Sequence, residues 1–207
     1  MKTRLLIAID GPSASGKGTL SNLLSQKFNI PHLNTGGLYR GTAYKCIQNG
    51  IDLNDEKAVC KVARTITKAD TDNPIIFTEE MGGKAAIVAK MQCVRDALFD
   101  FQKRFANQES GAILDGRDIG TVICPDANYK FFVVASAEER ANRRYKEMIE
   151  KGQKVDYEEI LQKIKERDEK DMNREASPFK KAEDAILIDT TDKNIQEVFE
   201  HVISFIK

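Results

Sequence analysis

Residues 4–19, RLLIAIDGPSASGKGT, are the stretch on which the predicted fold depends. Leu5 to Ile9 form a short apolar run, which predicts a strand buried on both faces. A glycine-rich loop from Gly11 to Gly18 follows, and apolar residues then recur at helical spacing from Leu20 onward. Because a strand, a glycine-rich loop containing Lys17 and a helix occur together, the stretch indicates a phosphate-binding loop.

The predicted loop has the chemistry of an anion site. Its glycines adopt backbone angles closed to other residues, so that successive N–H groups can turn inward. The helix that follows adds its positive end, and Lys17 is placed to reach the outer phosphates as a point charge. We expect a nucleoside triphosphate to bind along the whole loop: Gly11, Pro12, Ser13, Ala14, Ser15, Gly16, Lys17, Gly18 and Thr19.

Composition and charge limit the class of protein. The chain has 207 residues, and its 32 Lys and Arg balance 32 Asp and Glu, so there is no overall basic field for nucleic acid. No apolar run approaches membrane-spanning length, and the first ten residues lack a signal-peptide cleavage site. The four cysteines are far apart without a CxxC pair, which favours reduced thiols in a cytoplasmic protein.

Beyond the loop, strands alternate with helices, which predicts a parallel sheet covered by helices on both faces. Further strands are expected at 30–33, 112–114, 129–135 and 185–188, and a lone short strand at 74–77. Helices are expected after a bend at Gly36 and Gly37, after a cap at Asn54, over 85–105, after Ser136, and over 157–172 and 195–206.

Ligands in such folds bind at the carboxyl ends of the strands, where Asp10 and Asp115 fall. An acidic residue at the end of a buried strand suits the Mg²⁺-side carboxylate that accompanies a phosphate loop, so Asp115 is a candidate metal ligand. Thr19 is the second candidate, because the residue after Lys17 is Gly18 and the hydroxyl follows one place later. Either contact with Mg²⁺ is expected directly or through water.

Several arginines are candidates for binding phosphates. Phosphoryl transfer between two anions needs cations on the transferring oxygens, and arginine forks match phosphate in a bidentate manner. Arg140 and Arg144 share one helix face at a spacing of four residues, and Arg167, Asp171 and Arg174 share another. The alternative is that both segments are solvated helices with surface ion pairs, since charge runs usually are.

The stretch DGRDIGTVICPDA at 115–127 is the most specific motif of the chain, and it is similar to the pattern DGRDxGTVVxPDA. With this motif and the loop at 11–19, the sequence resembles the bacterial cytidylate (CMP) kinases over nearly its whole length. NTGGLYR at 34–40 resembles DSGAxYR, and VRDALFDFQKRF at 94–105 resembles VRxxLxxxQRxF. SAEERANRRYKE and KERDEKDMNREASP are similar to the two helices that flank the lid of these enzymes.

The resemblance implies an architecture and a reaction. The implied architecture is an α/β, P-loop three-layer fold with a central parallel sheet of about five strands, in one domain spanning 1–207. Its core is expected at 1–35 and 111–207, a mostly helical acceptor-side lobe at about 36–110 and a small lid at about 144–167. The implied reaction moves the γ-phosphate of ATP to CMP or dCMP with Mg²⁺, in a cytoplasmic monomer without nucleic-acid or membrane partners.

The resemblance also implies the residues that carry this reaction. The catalytic set is Lys17, Arg117, Arg140, Arg144 and Arg167. The substrate-binding set is Thr35, Tyr39, Arg40, Arg95, Arg117, Asp118, Arg167, Asp171 and Arg174. Among these, Asp118 and Arg174 are expected to approach cytosine and ribose, since a carboxylate can distinguish the exocyclic amine of cytosine from the carbonyl of uracil.

Three departures from the family pattern fall on the acceptor side. Asn34 and Thr35 stand where Asp and Ser are usual, and a missing strand-forming insertion places Phe77 where Arg is usual. Ala86 occupies the position of a base-contacting serine. We therefore expect a smaller lobe and a narrower preference for CMP over UMP. Two alternatives stay open: a broader pyrimidine monophosphate kinase, and an ATP-binding regulator that transfers no phosphate.

Overall fold

The computed structural model describes residues 4–173 and 177–207. The chain divides into two compact units, which we name unit 1 (Met1–His32 and Ser110–Lys207) and unit 2 (Leu33–Glu109). The prediction of an α/β fold with a parallel sheet is confirmed by the strand pairing. No helix in the described ranges is long and apolar enough to cross a membrane.

The sheet of the described residues has five strands: β1 (Leu6–Asp10), β2 (His32–Asn34), β3 (Ala112–Gly116), β4 (Tyr129–Val134) and β5 (Ile186–Asp189). Their order across the sheet is β2-β3-β1-β4-β5. The central strand β1 runs parallel to β3 and β4, which places Ile9 beside Asp115 on one side and Phe131 on the other. Every residue of β1 and β3 is buried, as expected for strands covered on both faces.

Helices occupy most of the remaining chain. Unit 1 contains α1 (Lys17–Phe28), α7 (Ala137–Glu150), α8 (Tyr157–Met172), α9 (Ile195–Ile203) and a π-helical turn (Ile119–Ile123). Unit 2 contains α2 (Thr35–Gln48), α3 (Glu56–Ala63), α4 (Lys68–Asp72), a 3₁₀ helix (Pro74–Phe77), α5 (Glu79–Val88) and α6 (Gln92–Ala106).

Two apolar clusters hold unit 1 together. In the larger one, Leu20 and Leu24 of α1 and Val198 of α9 pack against the sheet residues Ile9 and Phe131. In the smaller one, α7 and α8 contribute four buried residues, Ala141, Met148, Ile160 and Ile164. Each fully buried aliphatic side chain contributes about 1.5–3 kcal/mol to folding. The larger cluster therefore fixes the strand end from which the phosphate loop departs.

Two predictions for unit 2 are wrong in the type or continuity of the element. Residues 74–77 form a 3₁₀ helix instead of a strand, because Asn73 caps the turn by accepting a hydrogen bond from Ile75 N, and proline favours the first helical position. The helix predicted over 85–105 is two helices, α5 and α6. Val88 and Val94 are both buried, so the apolar periodicity continues through the break and does not reveal it.

Two predicted helix starts are displaced by capping contacts. Gly36 and Gly37 lie in the first turn of α2 instead of at a bend, because Asn34 Oδ1 accepts a hydrogen bond from Gly37 N at 3.1 Å. Asp55 instead of Asn54 caps α3, through a 3.0 Å bond from Ala58 N to Asp55 Oδ1.

Candidate nucleotide-binding site

The glycine-rich loop begins directly after β1, where the backbone is closely packed against its neighbours. Gly11 N donates to Gly116 O at 3.2 Å, and a Cβ on Gly11 would lie only 2.3 Å from Val133 O, so a side chain has no room there. Farther along, Ala14 and Gly16 adopt left-handed backbone angles, with φ of 59° and 86°. Helix α1 then begins at Lys17, as the sequence predicts.

Ser15 is the buried hydroxyl of this loop. Its side chain is fully buried, and its Oγ has no hydrogen-bond partner among the described residues. A buried hydroxyl without a partner costs about 1–3 kcal/mol of folding free energy, so it persists where a ligand or local geometry requires it. Thr19, the candidate Mg²⁺ contact, is exposed on α1.

Lys17 lies in a group of cations. Its Nζ donates to Pro12 O at 3.0 Å. Burial, and next the positive charge of Arg117, lower the pKa of Lys17 to about 7, although the carboxylate of Asp115 opposes the shift. Arg167 adds to the lowering. Near pH 7 this lysine is therefore only partly charged until an anion approaches.

Arg117 and Arg167 are brought together from the segment after β3 and from α8. Arg117 Nε donates to Asp171 Oδ2 at 2.7 Å, and its guanidinium lies 5.8 Å from the ring centroid of Phe179. Burial and the charge of Arg117 hold the pKa of Arg167 below its usual range. Arg117 thus opposes the charges of Lys17 and Arg167, and the carboxylate of Asp171, which Arg117 binds, partly compensates for that repulsion.

Arg140 and Arg144, which are predicted to share one helix face, have different surroundings. Arg140 is buried, binds Asp168 with both Nη atoms at 3.1 and 2.5 Å, and donates from Nε to Ala135 O. Arg144 is half-buried and pairs with Glu147 on the same helix at 2.8 Å. The shared helix face that the sequence predicts therefore does not give the two side chains a shared environment.

Two residues near the loop were not predicted from the sequence. Arg143 binds the carbonyl and hydroxyl of Thr190, at 2.5 and 3.1 Å, and Thr190 Oγ1 donates to Ser15 O at 3.1 Å. A Cβ on Gly16 would lie 3.8 Å from Arg143 Nη1. The only available sequence signal was the position of each residue: Thr190 directly follows β5, and Arg143 lies between the predicted residues Arg140 and Arg144.

Asp115 and Asp118 lie at either end of the DGRD segment. Asp115 is buried, and its Oδ2 lies 2.6 Å from His32 Nε2, whose other ring nitrogen lies 2.8 Å from Asn22 Oδ1. Asp118 is 7% exposed and immediately precedes the π-helical turn. In the described residues, no three His, Cys, Asp or Glu side chains are grouped so that they could hold a metal ion.

The predicted acceptor residues of unit 2 form local contacts. Arg40 Nη1 donates to Ile76 O and Thr78 O, both at 2.7 Å, and the guanidinium lies 5.9 Å from the ring centroid of Phe77. Arg95 is buried, with its guanidinium 6.0 Å from the ring centroid of Tyr39.

Three other positions were singled out from the sequence. Thr35 is buried at the start of α2, and Ala86 is exposed on α5. Arg174 lies outside the described residues.

The fold is shared with P-loop kinases of small molecules. A gluconokinase from Sinorhizobium meliloti has a TM-score of 0.50 at 15% identity, covering 98% of this chain and 92% of its own. A sugar kinase from Janibacter has a TM-score of 0.51 at 13% identity, covering 98% and 94%. At these identities the likeness concerns the fold alone.

Sequence relatives define the family within this class. A family model for cytidylate kinase matches residues 7–207. A cytidylate kinase of Methylocella silvestris is 47% identical over 203 residues, covering 98% of this chain and 94% of the relative. A cytidylate kinase of Clostridioides difficile is 45% identical over 210 residues, covering 97% of each. The chain belongs to the cytidylate kinase family.

Proposed function

We propose that this chain transfers the γ-phosphate of ATP to CMP or dCMP, giving ADP and CDP or dCDP. The observation that carries the proposal is the group of three cations, Lys17, Arg117 and Arg167, beside the glycine-rich loop. The charge of Arg117 lowers the pKa of both Lys17 and Arg167, so these cations are unfavourable to hold together, and a phosphate placed between them relieves that repulsion. Membership of the cytidylate kinase family supports the choice of acceptor.

On the donor side, the loop from Gly11 to Thr19 binds the ATP phosphates in this proposal. Lys17 is restored to its charged form by the phosphate, and the Ser15 hydroxyl, buried without a partner, gains one. Arg140 and Arg144 act at the transferring phosphate. Arg140 also lies against the loop, with Nη1 3.4 Å from Ser13 O.

On the acceptor side, Arg117 and Arg167 bind the acceptor phosphate or the transferring group. Asp118, Asp171 and Arg174 are assigned to the cytosine and ribose, where a carboxylate favours the amine of cytosine over the carbonyl of uracil. In unit 2 the proposed acceptor residues are Thr35, Tyr39, Arg40 and Arg95. A guanidinium has five N–H donors, so the two carbonyl bonds made by Arg40 Nη1 are compatible with a phosphate contact elsewhere on the group.

Mg²⁺ fits the oxygen donors present. Asp115 supplies a buried carboxylate at the end of β3 and Thr19 an exposed hydroxyl, and Mg²⁺ commonly takes one or two protein oxygens and keeps several waters. When bound, the ion neutralises charge on the outer phosphates. We assign Asp115 and Thr19 to it, directly or through water.

Strict dependence of ADP formation on the acceptor tests the proposal. With Mg²⁺ and ATP alone, we expect turnover to fall to a small fraction of that with added CMP or dCMP, because a kinase must exclude water as acceptor. ATP binding without CMP-dependent turnover would favour the regulator instead, and equal turnover with UMP would favour the broader pyrimidine kinase.

We further propose a cytoplasmic monomer. The support for a reducing compartment is that Cys46, Cys60 and Cys93 are not joined in disulfides in the structure. Light scattering on the purified protein measures its mass in solution, and a mass of twice 23.2 kDa would contradict the monomer.

A further inference from the structure

Asp10 is a buried acid to which the proposed reaction gives no role. It ends the central strand β1, directly before the phosphate loop, and is 4% exposed. Its two carboxylate oxygens accept hydrogen bonds from Ile119 N and Gly120 N, each at 2.8 Å. These partners are more than one hundred residues away in sequence, so local pattern does not predict them.

The two N–H groups belong to the start of the π-helical turn Ile119–Ile123. The first N–H groups of any helix lack partners within the helix and need acceptors from outside. Asp10 supplies both acceptors from the neighbouring strand. A Cβ on Gly120 would lie 3.4 Å from Asp10 Oδ2, in ordinary van der Waals contact.

A second contact holds the other end of the same segment. Gly11 N donates to Gly116 O at 3.2 Å. The adjacent residues Asp10 and Gly11 thus bind the chain on both sides of Arg117 and Asp118, the pair proposed to contact the acceptor. Within unit 1, this pair is therefore fixed relative to the start of the phosphate loop.

The carboxylate is retained at a cost. Burial raises the pKa of Asp10 to about 6, against the two backbone N–H bonds and the charge of Arg117, which favour the ionised form. Charged acceptors form stronger hydrogen bonds than neutral ones, so an ionised Asp10 holds the turn more firmly than an amide does.

We infer that Asp10 is a positioning residue, whose carboxylate holds Arg117 and Asp118 at the distance from the phosphate loop that phosphoryl transfer requires. This inference rests on the proposed function, because it acts through the proposed acceptor pair. The proposed reaction assigns Asp10 no contact with either substrate. Its removal should therefore harm use of the acceptor more than binding of ATP.

The first test is steady-state kinetics of Asp10→Asn. The amide keeps the shape and one acceptor oxygen but places an NH₂ group against a backbone N–H. We expect kcat/KM for CMP to fall about tenfold to a hundredfold, while KM for ATP changes less than about threefold. Asp189→Asn is the matched control, since that exposed carboxylate at the end of β5 also binds a backbone N–H, of Thr191 at 2.9 Å, and we expect near-normal kinetics.

A double-mutant cycle separates positioning from a general structural role. If Asp10 acts through the acceptor pair, Asp10→Asn should cost only about twofold in kcat/KM when introduced into Asp118→Ala. The same fold-loss in both backgrounds, or equal losses for ATP and CMP, would overturn the inference. Wild-type CMP kinase activity in the same assay shows separately whether the proposed function stands.

A milder variant serves if Asp10→Asn does not fold. Asp10→Glu keeps the charge and both acceptor oxygens but lengthens the side chain by one methylene group, so the two 2.8 Å bonds from Ile119 N and Gly120 N cannot both be kept unless the turn moves. We expect the same selective loss with CMP, at about twofold to tenfold. Unchanged kinetics in a folded Asp10→Glu, together with an unfolded Asp10→Asn, would leave Asp10 a purely structural residue and overturn the inference.

Discussion

The arginines of unit 1 and those of unit 2 differ in what surrounds their charge. In unit 1, burial and Arg117 lower the pKa of both Lys17 and Arg167. In unit 2, Arg40 binds two backbone carbonyls at 2.7 Å and Arg95 lies over the ring of Tyr39. Both sets match family motifs, and for Lys17 and Arg167 the structure adds a repulsion by Arg117 that a bound phosphate would relieve. Motif matches alone do not reveal that difference.

Lys17→Met should have the largest effect on activity. Losing a main electrostatic stabiliser of the transferring phosphate typically costs about a hundredfold or more in turnover, and we expect at least that loss in a folded protein. Near-normal turnover would contradict the role of the phosphate loop. Thr19→Ser, which keeps the hydroxyl, is the control for general disturbance of the loop.

Lys17→Met should also have a higher free energy of unfolding than the wild type, by an amount that depends on pH. Lys17 binds its proton up to about pH 7 in the fold but up to about pH 10.5 in the unfolded chain, so folding expels a proton between these values. Holding the charged lysine in the fold, or releasing its proton, lowers the stability of the wild type. Methionine does not titrate, so its gain in free energy of unfolding should be full below pH 7 and vanish towards pH 10.5. Denaturant unfolding at pH 6 and pH 9.5 measures it, and a gain that does not shrink at the higher pH would contradict the lowered pKa.

Arg140→Ala and Arg144→Ala should differ in their effect on stability but share an effect on catalysis. Arg140→Ala leaves Asp168 without its buried partner and should lower the free energy of unfolding by about 2–4 kcal/mol. Arg144→Ala removes a half-exposed pair and should cost less than about 1 kcal/mol. Both should lower turnover more than CMP binding measured without ATP, because both are proposed to act at the transferring phosphate. Equal losses of turnover and CMP binding would assign them to acceptor binding.

Unit 1 was easier to predict than unit 2. The run from Leu6 to Phe28 carries its strand, loop and helix signals within one short segment, and the structure follows them. The segment 68–91 offers weak, overlapping signals. Its apolar run at 74–77 suggested a strand, whereas capping by Asn73 favours the 3₁₀ helix that forms there. The partners of Asp10 and of Arg143 come from distant parts of the chain, so no local pattern could have identified them.

The smallest expected effect concerns the departures in unit 2. Ala86 is exposed on α5, so Ala86→Ser should leave stability unchanged. If the position contacts the base, the substitution should raise the CMP-to-UMP ratio of kcat/KM by about tenfold at most, equivalent to about 1.4 kcal/mol. Ala89→Ser, at the end of the same helix, is the control. An unchanged ratio for Ala86→Ser would show that this position does not read the base.

The most direct test of the proposed function is kcat/KM for CMP, dCMP, UMP, AMP and GMP with Mg-ATP as donor, measured for the wild type and for Asp118→Ala. We expect CMP or dCMP to be the best acceptor, UMP to follow by a modest margin, and that margin to shrink when the carboxylate of Asp118 is removed. Equal efficiencies for CMP and UMP in the wild type would contradict both the cytidylate acceptor and the base-reading role of Asp118.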